Sequence, residues 1–312
     1  MNAWERYRGM IVTAAVVALL PLALPNNFYY DVAVRIALNA VVAVGLNLLI
    51  GYAGQISLGH AGFFGLGAYA SALLTSRFGW SPPLAMLAAM AGVGVLSFVI
   101  ARPILRLRGH YLAMATLGMG IIIYMVLVNE SSWTGGNDGM SVPGFSLFGL
   151  TLANERQWYW VAAGAMLLAI LLAENIVDSP VGRALRAVHG SEVAASIAGI
   201  DTARFKVRIF VVSALFASAA GSLAAHYIGF ITPQYSGFFH SIELLTMVVV
   251  GGMASTYGAV LGAAILTMLP QLLSRFEGFE MMVFGAILML TMIFLPRGLL
   301  PTLLAKWKRA RA

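Results

Sequence analysis

Residues 51–74 read GYAGQISLGHAGFFGLGAYASALL, and this stretch decides the class of the molecule. It is long enough to cross a bilayer, which takes about 20 apolar residues. Yet it holds six glycines and places Gln55, Ser57 and His60 near its start. A lipid-facing span avoids that mixture, because polar groups at membrane depth have to be satisfied by protein or water. Ser57, Ala61 and Gly65 recur at i, i+4 and i+8, which predicts a helical face stripped nearly to backbone, with Gly62 beside it. Small residues at that spacing let another helix approach closely. The segment reads as an internal helix packed around a polar path.

Composition agrees. Of 312 residues, 60% are hydrophobic and 10% charged, against about 25% charged in ordinary soluble domains. The fold class is therefore an all-α polytopic membrane protein, read as one transmembrane domain over residues 1–312. The net charge of +7 is carried in short basic clusters between apolar runs. That is a membrane-topology pattern and argues against nucleic acid as a partner. The absence of cysteine excludes a disulfide, a thiolate nucleophile and a Cys-ligated metal. The first apolar run follows Arg6 and Arg8, has no clean cleavage site and meets Pro25, so it reads as a retained helix.

Apolar runs fall near 10–24, 32–50, 55–75, 83–101, 110–128, 158–175, 209–228, 242–257, 258–273 and 279–296. They predict about ten transmembrane or re-entrant helices, with 242–273 either two helices or one span plus a re-entrant piece. Arg102, Arg106 and Arg108 share one loop, and Arg183, Arg186, Arg204, Lys206 and Arg208 share another. Arg297, Lys306, Lys308, Arg309 and Arg311 form the tail. The positive-inside rule puts these, with both termini, on the cytoplasmic side. Loop 129–157 has Glu130, Asp138 and Glu155 against Arg156 alone and should face outward, with turns at Gly135, Gly136 and Gly139.

A second glycine-rich run, VVVGGMASTYGAVLGAAIL (248–266), carries Gly251, Gly252, Gly258 and Gly262. Gly251, Ser255, Ala259 and Ala263 suggest a small stripe at i+4 spacing. Paired glycine-interrupted helices point to an internal structural repeat; plain helix packing explains them equally well.

Loop 176–208 is too patterned for a connector. Ser191 suits an N-cap, with Glu192 in the first turn where the helix dipole favours an anion. Ala194 and Ala195 follow, Gly199 suits a C-cap, and Asp201 can cap the next helix. A short, capped, alanine-rich helix suits a partner's groove; the alternative, a membrane-surface helix, has mostly alanines, beside Val193 and Ile197, for its apolar face, which makes a weak anchor.

Three separated motifs and the C-terminal end carry a resemblance. GLNLLIGYAGQISLGHAGFFGLGAYASALL (45–74) resembles the signature of the LivM-type permeases of branched-chain amino acid ABC importers. RALRAVHGSEVAASIAGIDTARFKVRIFVVSALFASAAGSLAA (183–225) is similar to that family's ATPase-facing loop and following helix. VVVGGMASTYGAVLGA (248–263) and LPRGLL (295–300) resemble its later motifs. The resemblance implies a multi-pass permease of the bacterial inner membrane. It also implies a LivH-type permease partner, two ATP-binding-cassette ATPases, a periplasmic substrate-binding protein and an amino-acid substrate. The short cytoplasmic coupling helix maps onto Gly190–Asp201. Relatives of this permease type serve urea, amides and aromatic acids, so the substrate stays open at this point.

The residues fit a subunit that leaves ATP to others. No G-x-x-x-x-G-K-[ST] is present, and the lysines are Lys206, Lys306 and Lys308 alone, so the chain offers no P-loop and needs no cofactor of its own. His60 suits either a substrate or proton role or, more simply, a hydrogen bond to a neighbouring helix. His110, His189, His226 and His240 are dispersed, so no metal site is expected. Asp31 and Arg35 suit an i, i+4 pair near an interface, Glu243 suits a span start, and Asn39 and Asn47 suit bridges between helices. A secondary carrier would need a carboxylate deep in a span, and a membrane enzyme a clustered acid, base or metal group; neither pattern is visible.

Overall fold

The computed structural model describes residues 3–147, 150–152, 154–273, 280–294 and 298–303. Arg275, Arg297 and the basic tail residues Lys306, Lys308, Arg309 and Arg311 lie outside them, as do the side chains of Arg6 and Arg8. The described chain is helical almost throughout. The helices are α1 (Ala3–Ala23), α2 (Asn27–Asn47), α3 (His60–Ser76), α4 (Pro82–Ile104), α5 (His110–Asn129), α6 (Ser131–Thr134) and α7 (Glu155–Asp178). They continue with α8 (Pro180–Gly190), α9 (Glu192–Ile197), α10 (Thr202–Ile228), α11 (Phe238–Gly251), α12 (Thr256–Leu273) and α13 (Glu280–Phe294). Each of the ten apolar runs lands on one of these helices.

Five stretches are long and apolar enough to cross a membrane: Asn27–Tyr52, Pro82–Ile104, His110–Asn129, Glu155–Asp178 and Thr202–Ile228. Their burial sorts them. The apolar window of the first is 78% buried and that of the last 67%, against 28% for α4. α2 and α10 therefore form the centre, with α3, α7, α11 and α12 packed on them. α4 and α5 turn large side chains such as Val95, Val99, Ile122 and Met125 outward, the placement expected of a face that meets lipid tails.

The loop between α5 and α7 holds α6, a 3₁₀ turn at Gly136–Asp138, and strand β1 (Met140–Ser141). It also holds a small hairpin, β2 (Ser146–Leu147) with β3 (Leu150–Thr151). Gly135, Gly136 and Gly139 all have positive φ, the turns that their spacing predicts. β1 pairs antiparallel with β4 (Phe230–Ile231), Met140 opposite Ile231, which ties this loop to the end of α10.

Three expectations need correction. Residues 55–59 are not helical: α2 ends in a π-helical turn at Leu48–Tyr52, Gly54 takes φ +67, and α3 begins only at His60. Ser57 therefore shares no helical face with Ala61 and Gly65. The stripe Gly251–Ser255–Ala259–Ala263 is likewise broken, because Gly252 (φ 125) and Ala254 (φ 58) turn the chain between α11 and α12. Finally, the segment read as loop 176–208 holds a helix that the sequence reading does not place, α8 at 180–190; Ser179 caps it by accepting from Val181 N–H at 3.1 Å, with Pro180 in the first turn.

Close backbone approach does the packing that a hydrophobic effect cannot do in lipid. Where α3 crosses α10, a Cβ on Gly221 would overlap the carbonyl of Phe64 and one on Gly67 the carbonyl of Ser218. In the α11–α12 hairpin, a Cβ on Gly251 would overlap the carbonyl of Gly258, and one on Gly262 that of Met247. Gly62 is looser, facing only the flexible end of Ile123, and Gly65 faces the Ser236 hydroxyl. The intolerant positions are thus Gly67 and Gly221 at the α3–α10 crossing and Gly251 and Gly262 in the α11–α12 hairpin. Gly221→Ala should lower the melting temperature of the purified protein by an amount corresponding to about 1–3 kcal/mol of overpacking. Gly118→Ala, with nothing within 4 Å of the added methyl, should leave it unchanged or raise it, since Ala favours a helix over Gly by about 1 kcal/mol. A Gly221→Ala melt at or above wild type would show that the two backbones can separate freely.

Candidate functional site

The unwound segment 53–59 has to satisfy its backbone inside the bundle. Gly54 N–H and Gln55 N–H donate back to Ile50 O and Leu49 O, both at 3.1 Å. The buried Gln55 side chain folds onto its own strand of chain, donating to Ala53 O at 3.0 Å. Leu58 N–H donates to the Thr116 hydroxyl of α5 at 3.0 Å, and Ala61 N–H to the Ser241 hydroxyl of α11 at 3.2 Å.

His60 sits at the first turn of α3 and is 1% exposed. Its Nδ1 pairs with the Ser57 hydroxyl at 2.8 Å and its Nε2 with the Ser213 hydroxyl of α10 at 2.7 Å. Phe63 and Phe210 stand edge-on around the ring at 5.7 and 6.0 Å between centroids. With both nitrogens paired to hydroxyls, His60 bridges the break to α10.

The second break, Gly252–Ser255, leans on the first. Ala254 N–H donates to Asn47 Oδ1 at 2.9 Å. A Cβ on Gly51 would overlap that same amide and the Asn47 oxygen. Gly298, within the LPRGLL motif, packs directly on Gly252, and the His189 ring of α8 lies against Gly54. The separated motifs of the sequence thus converge at one end of the bundle. Asn39 bridges too, donating to the Thr267 hydroxyl of α12 at 2.9 Å.

The same end carries the capped unit expected at 190–201. The Ser191 hydroxyl accepts from Ala194 N–H at 3.2 Å, Gly199 ends the turn at φ +84, and Asp201 accepts from Arg204 N–H at 3.0 Å to cap α10. Glu192 does more than sit at the helix start: its Oε1 accepts from Lys206 Nζ at 2.9 Å, and Oε2 pairs with Arg108 at 3.3 Å. The orientation of α9 corrects one expectation. Ala195 is 3% exposed and faces the protein, whereas Val193 (58%) and Ile197 (82%) face away. A six-residue helix has too few apolar positions for its face to be read from sequence.

At the opposite end, Asp31 and Arg35 pair at 2.9 Å as their spacing predicts, but they are more than an end anchor. Arg35, Asn39, His240 and Glu243 line a cavity of about 270 Å³ bounded by α2, α10, α11 and α12. No sequence signal joins them, since α2 and α11 lie some 200 positions apart.

Comparison with known proteins places this geometry. The family described as "Branched-chain amino acid transport system / permease component" matches residues 28–295. The high-affinity branched-chain amino acid transport system permease protein LivM of Escherichia coli (strain K12) is 35% identical over 265 residues, covering 76% of this chain and 61% of that protein. The corresponding LivH of the same organism is 27% identical over 246 residues, covering 75% and 73%. The probable branched-chain amino acid transport permease protein LivM of Methanocaldococcus jannaschii is 23% identical over 228 residues, 66% of each. The chain spans 61% of the length of the Escherichia coli LivM relative. No solved structure matches. With a family match over most of its length and its apolar spans in place, the chain is a multi-pass membrane protein and belongs to the permease components of branched-chain amino acid transport systems.

Proposed function

We propose that this chain is the membrane-spanning permease subunit of an ATP-driven importer for branched-chain amino acids, sited in the bacterial inner membrane. The observation that carries the reading is α9: a capped helix, tied to the bundle through Glu192, that turns Val193 and Ile197 outward in a chain with no P-loop of its own. An exposed apolar pair on a braced helix is what a partner's groove would take. The partners proposed are two ATP-binding-cassette ATPases at α9, a LivH-type permease beside the bundle and a periplasmic binding protein on the 129–157 side. The related LivM and LivH permeases of branched-chain amino acid systems support that set.

The reading extends to topology. Ten crossings, with both termini and the 176–208 segment inside and the 129–157 loop outside, are supported by the basic clusters and by the ten apolar runs, five of which fall on helices long and apolar enough to cross a membrane. The two units of break followed by helix, 53–76 and 252–273, are read as the paired elements of an internal repeat; each opens next to a positive-φ glycine, Gly54 and Gly252.

The natural lack of cysteine makes the topology testable. A cysteine replacing Asn137 should react with an impermeant thiol reagent on intact cells, and one replacing Ile197 only after permeabilisation. The reverse pattern overturns the topology and with it the placement of the ATPases.

Ile197→Asp and Val193→Asp put carboxylates on the outward face of α9. Substrate uptake should fall tenfold or more, and ATPase subunits should no longer co-purify, while the permease still reaches the membrane at normal level. Ala195→Arg instead buries a charge against the bundle, and the permease itself should be lost. Wild-type uptake and ATPase capture by Ile197→Asp would remove the docking role of α9.

A further inference from the structure

The cavity between α2, α10, α11 and α12 lies at the end that carries β4 and the 129–157 loop, since Tyr227 and Ile228 line it just before the chain enters β4. Its volume, about 270 Å³, is near the small end of small-molecule sites, roughly 300–1,000 Å³. Its walls combine both signs of charge with apolar surface. Arg35 enters from α2, with its side chain 43% exposed, and Glu243 from α11, with 31% exposed. Leu38, Phe64, Met247 and Leu266 supply the apolar part.

Each charge is held by a neighbour yet keeps capacity to spare. A guanidinium has five N–H donors, and Asp31 takes the one on Nε at 2.9 Å. The other Asp31 oxygen accepts from the Tyr227 hydroxyl at 2.6 Å, which fixes the carboxylate and through it the arginine. Glu243 Oε2 meets His240 Nδ1 at 3.0 Å. His240 Nε2 is buried and has no hydrogen-bond partner among the described residues. An orphaned buried polar atom is unfavourable unless something supplies the bond, and this one lies on a residue that lines the cavity.

We propose that this cavity is a transit site for a free amino acid in its zwitterionic form, with the α-carboxylate received by Arg35, the α-ammonium by Glu243 and the side chain by the apolar wall. The proposal rests on the amino-acid reading above and adds the site. Charge placement favours a zwitterion over a simple ion: a bare anion meets Glu243 as well as Arg35, and a bare cation meets Arg35 as well as Glu243. Asp31 is engaged by Arg35 and Tyr227 and is not itself part of the lining, so the wall offers one guanidinium and one carboxylate. A zwitterion with an aliphatic tail uses every wall, whereas an uncharged solute such as an amide would leave the charged walls unmatched.

The test uses the purified full chain in lipid nanodiscs, with its melting temperature followed against three probes. They are L-leucine, 3-methylbutylamine, which is leucine without its carboxylate, and 4-methylpentanoate, which is leucine without its ammonium. Wild type should be stabilised by leucine at concentrations at least tenfold below those needed for either single-charge probe. Arg35→Gln should weaken leucine about tenfold and bring it level with 3-methylbutylamine. Glu243→Gln should weaken it by a similar factor and bring it level with 4-methylpentanoate. A merely structural role would shift all three probes together. If Arg35→Gln does not fold, Arg35→Lys, which keeps the charge, should keep the wild-type order of the probes. No leucine effect on wild type, equal response to all three probes, or unchanged leucine titrations in both Gln variants overturns the site. Leucine uptake by cells lacking other systems, with this chain and its partners restored, separates the two failures. Uptake with a failed titration removes the site alone, and no amino-acid uptake removes the reading and the site together.

Discussion

The bond from Ala254 N–H to the Asn47 side-chain oxygen holds two interrupted helices against each other, and much of the interior depends on it. A helix that stops inside a membrane frees backbone groups that water cannot satisfy. Here two such interruptions share the problem. Asn47 supplies an acceptor at the end of α2 for the turn after α11, and Ala254 accepts a positive φ that a non-glycine residue adopts only where its surroundings demand it. Gly51 and Gly252 carry no Cβ where the two turns and Gly298 meet. The first break is satisfied in the same manner by hydroxyls from other helices: Thr116 from α5, Ser213 from α10 through His60, and Ser241 from α11. Of the polar side chains at the first break, Gln55 bonds the unwound backbone itself, and Ser57 and His60 link it to α10.

This arrangement separates two kinds of small residue. Gly67, Gly221, Gly251 and Gly262 let helix backbones touch and leave no room for a ligand between them. The open volume lies elsewhere, in the charged cavity between α2, α10, α11 and α12, which Pro270, Thr267 and Arg35 help to line. Tight crossings on one side of α2 and α10 and a cavity on the other give the bundle a stiff part and a part with space.

The class of the molecule was legible in the sequence because apolar length is set by bilayer thickness, and all ten runs became helices. The caps at Ser191 and Asp201 and the turns at Gly135, Gly136 and Gly139 were legible because they depend on residues close in sequence. The true start of α3 was not: residues 55–59 are apolar enough on average to extend a helix, and hydropathy does not register that Gly54 and the π turn have already redirected the chain. α8 was hidden by its amphipathic make-up, although Ser179–Pro180 is a start signal that local reasoning can use. The inward face of Ala195 and the sharing of one cavity by Arg35 and Glu243 are tertiary facts. They depend on how α9 lies on α10 and how α2 lies by α11, and no local pattern encodes either.

Charge strength then decides how α9 is attached. Glu192 has two cationic partners, but they are unequal. Arg108 is 70% exposed at its side chain, and Lys206 only 5%. An exposed pair is worth roughly 0–1 kcal/mol, while breaking a buried one typically costs about 3–5 kcal/mol because the remaining charge is left without solvent. The stronger attachment of α9 is therefore to α10, and the link to the α4–α5 loop is the weaker. α10 carries Ser213, which holds His60 at the first break, and Gly221, which locks α3 in place. α8 reaches the same break by a second route, through His189 against Gly54. A force applied at the outward face of α9 thus has two contiguous paths into the unwound segment of the bundle, and neither passes through the lipid-facing helix α5.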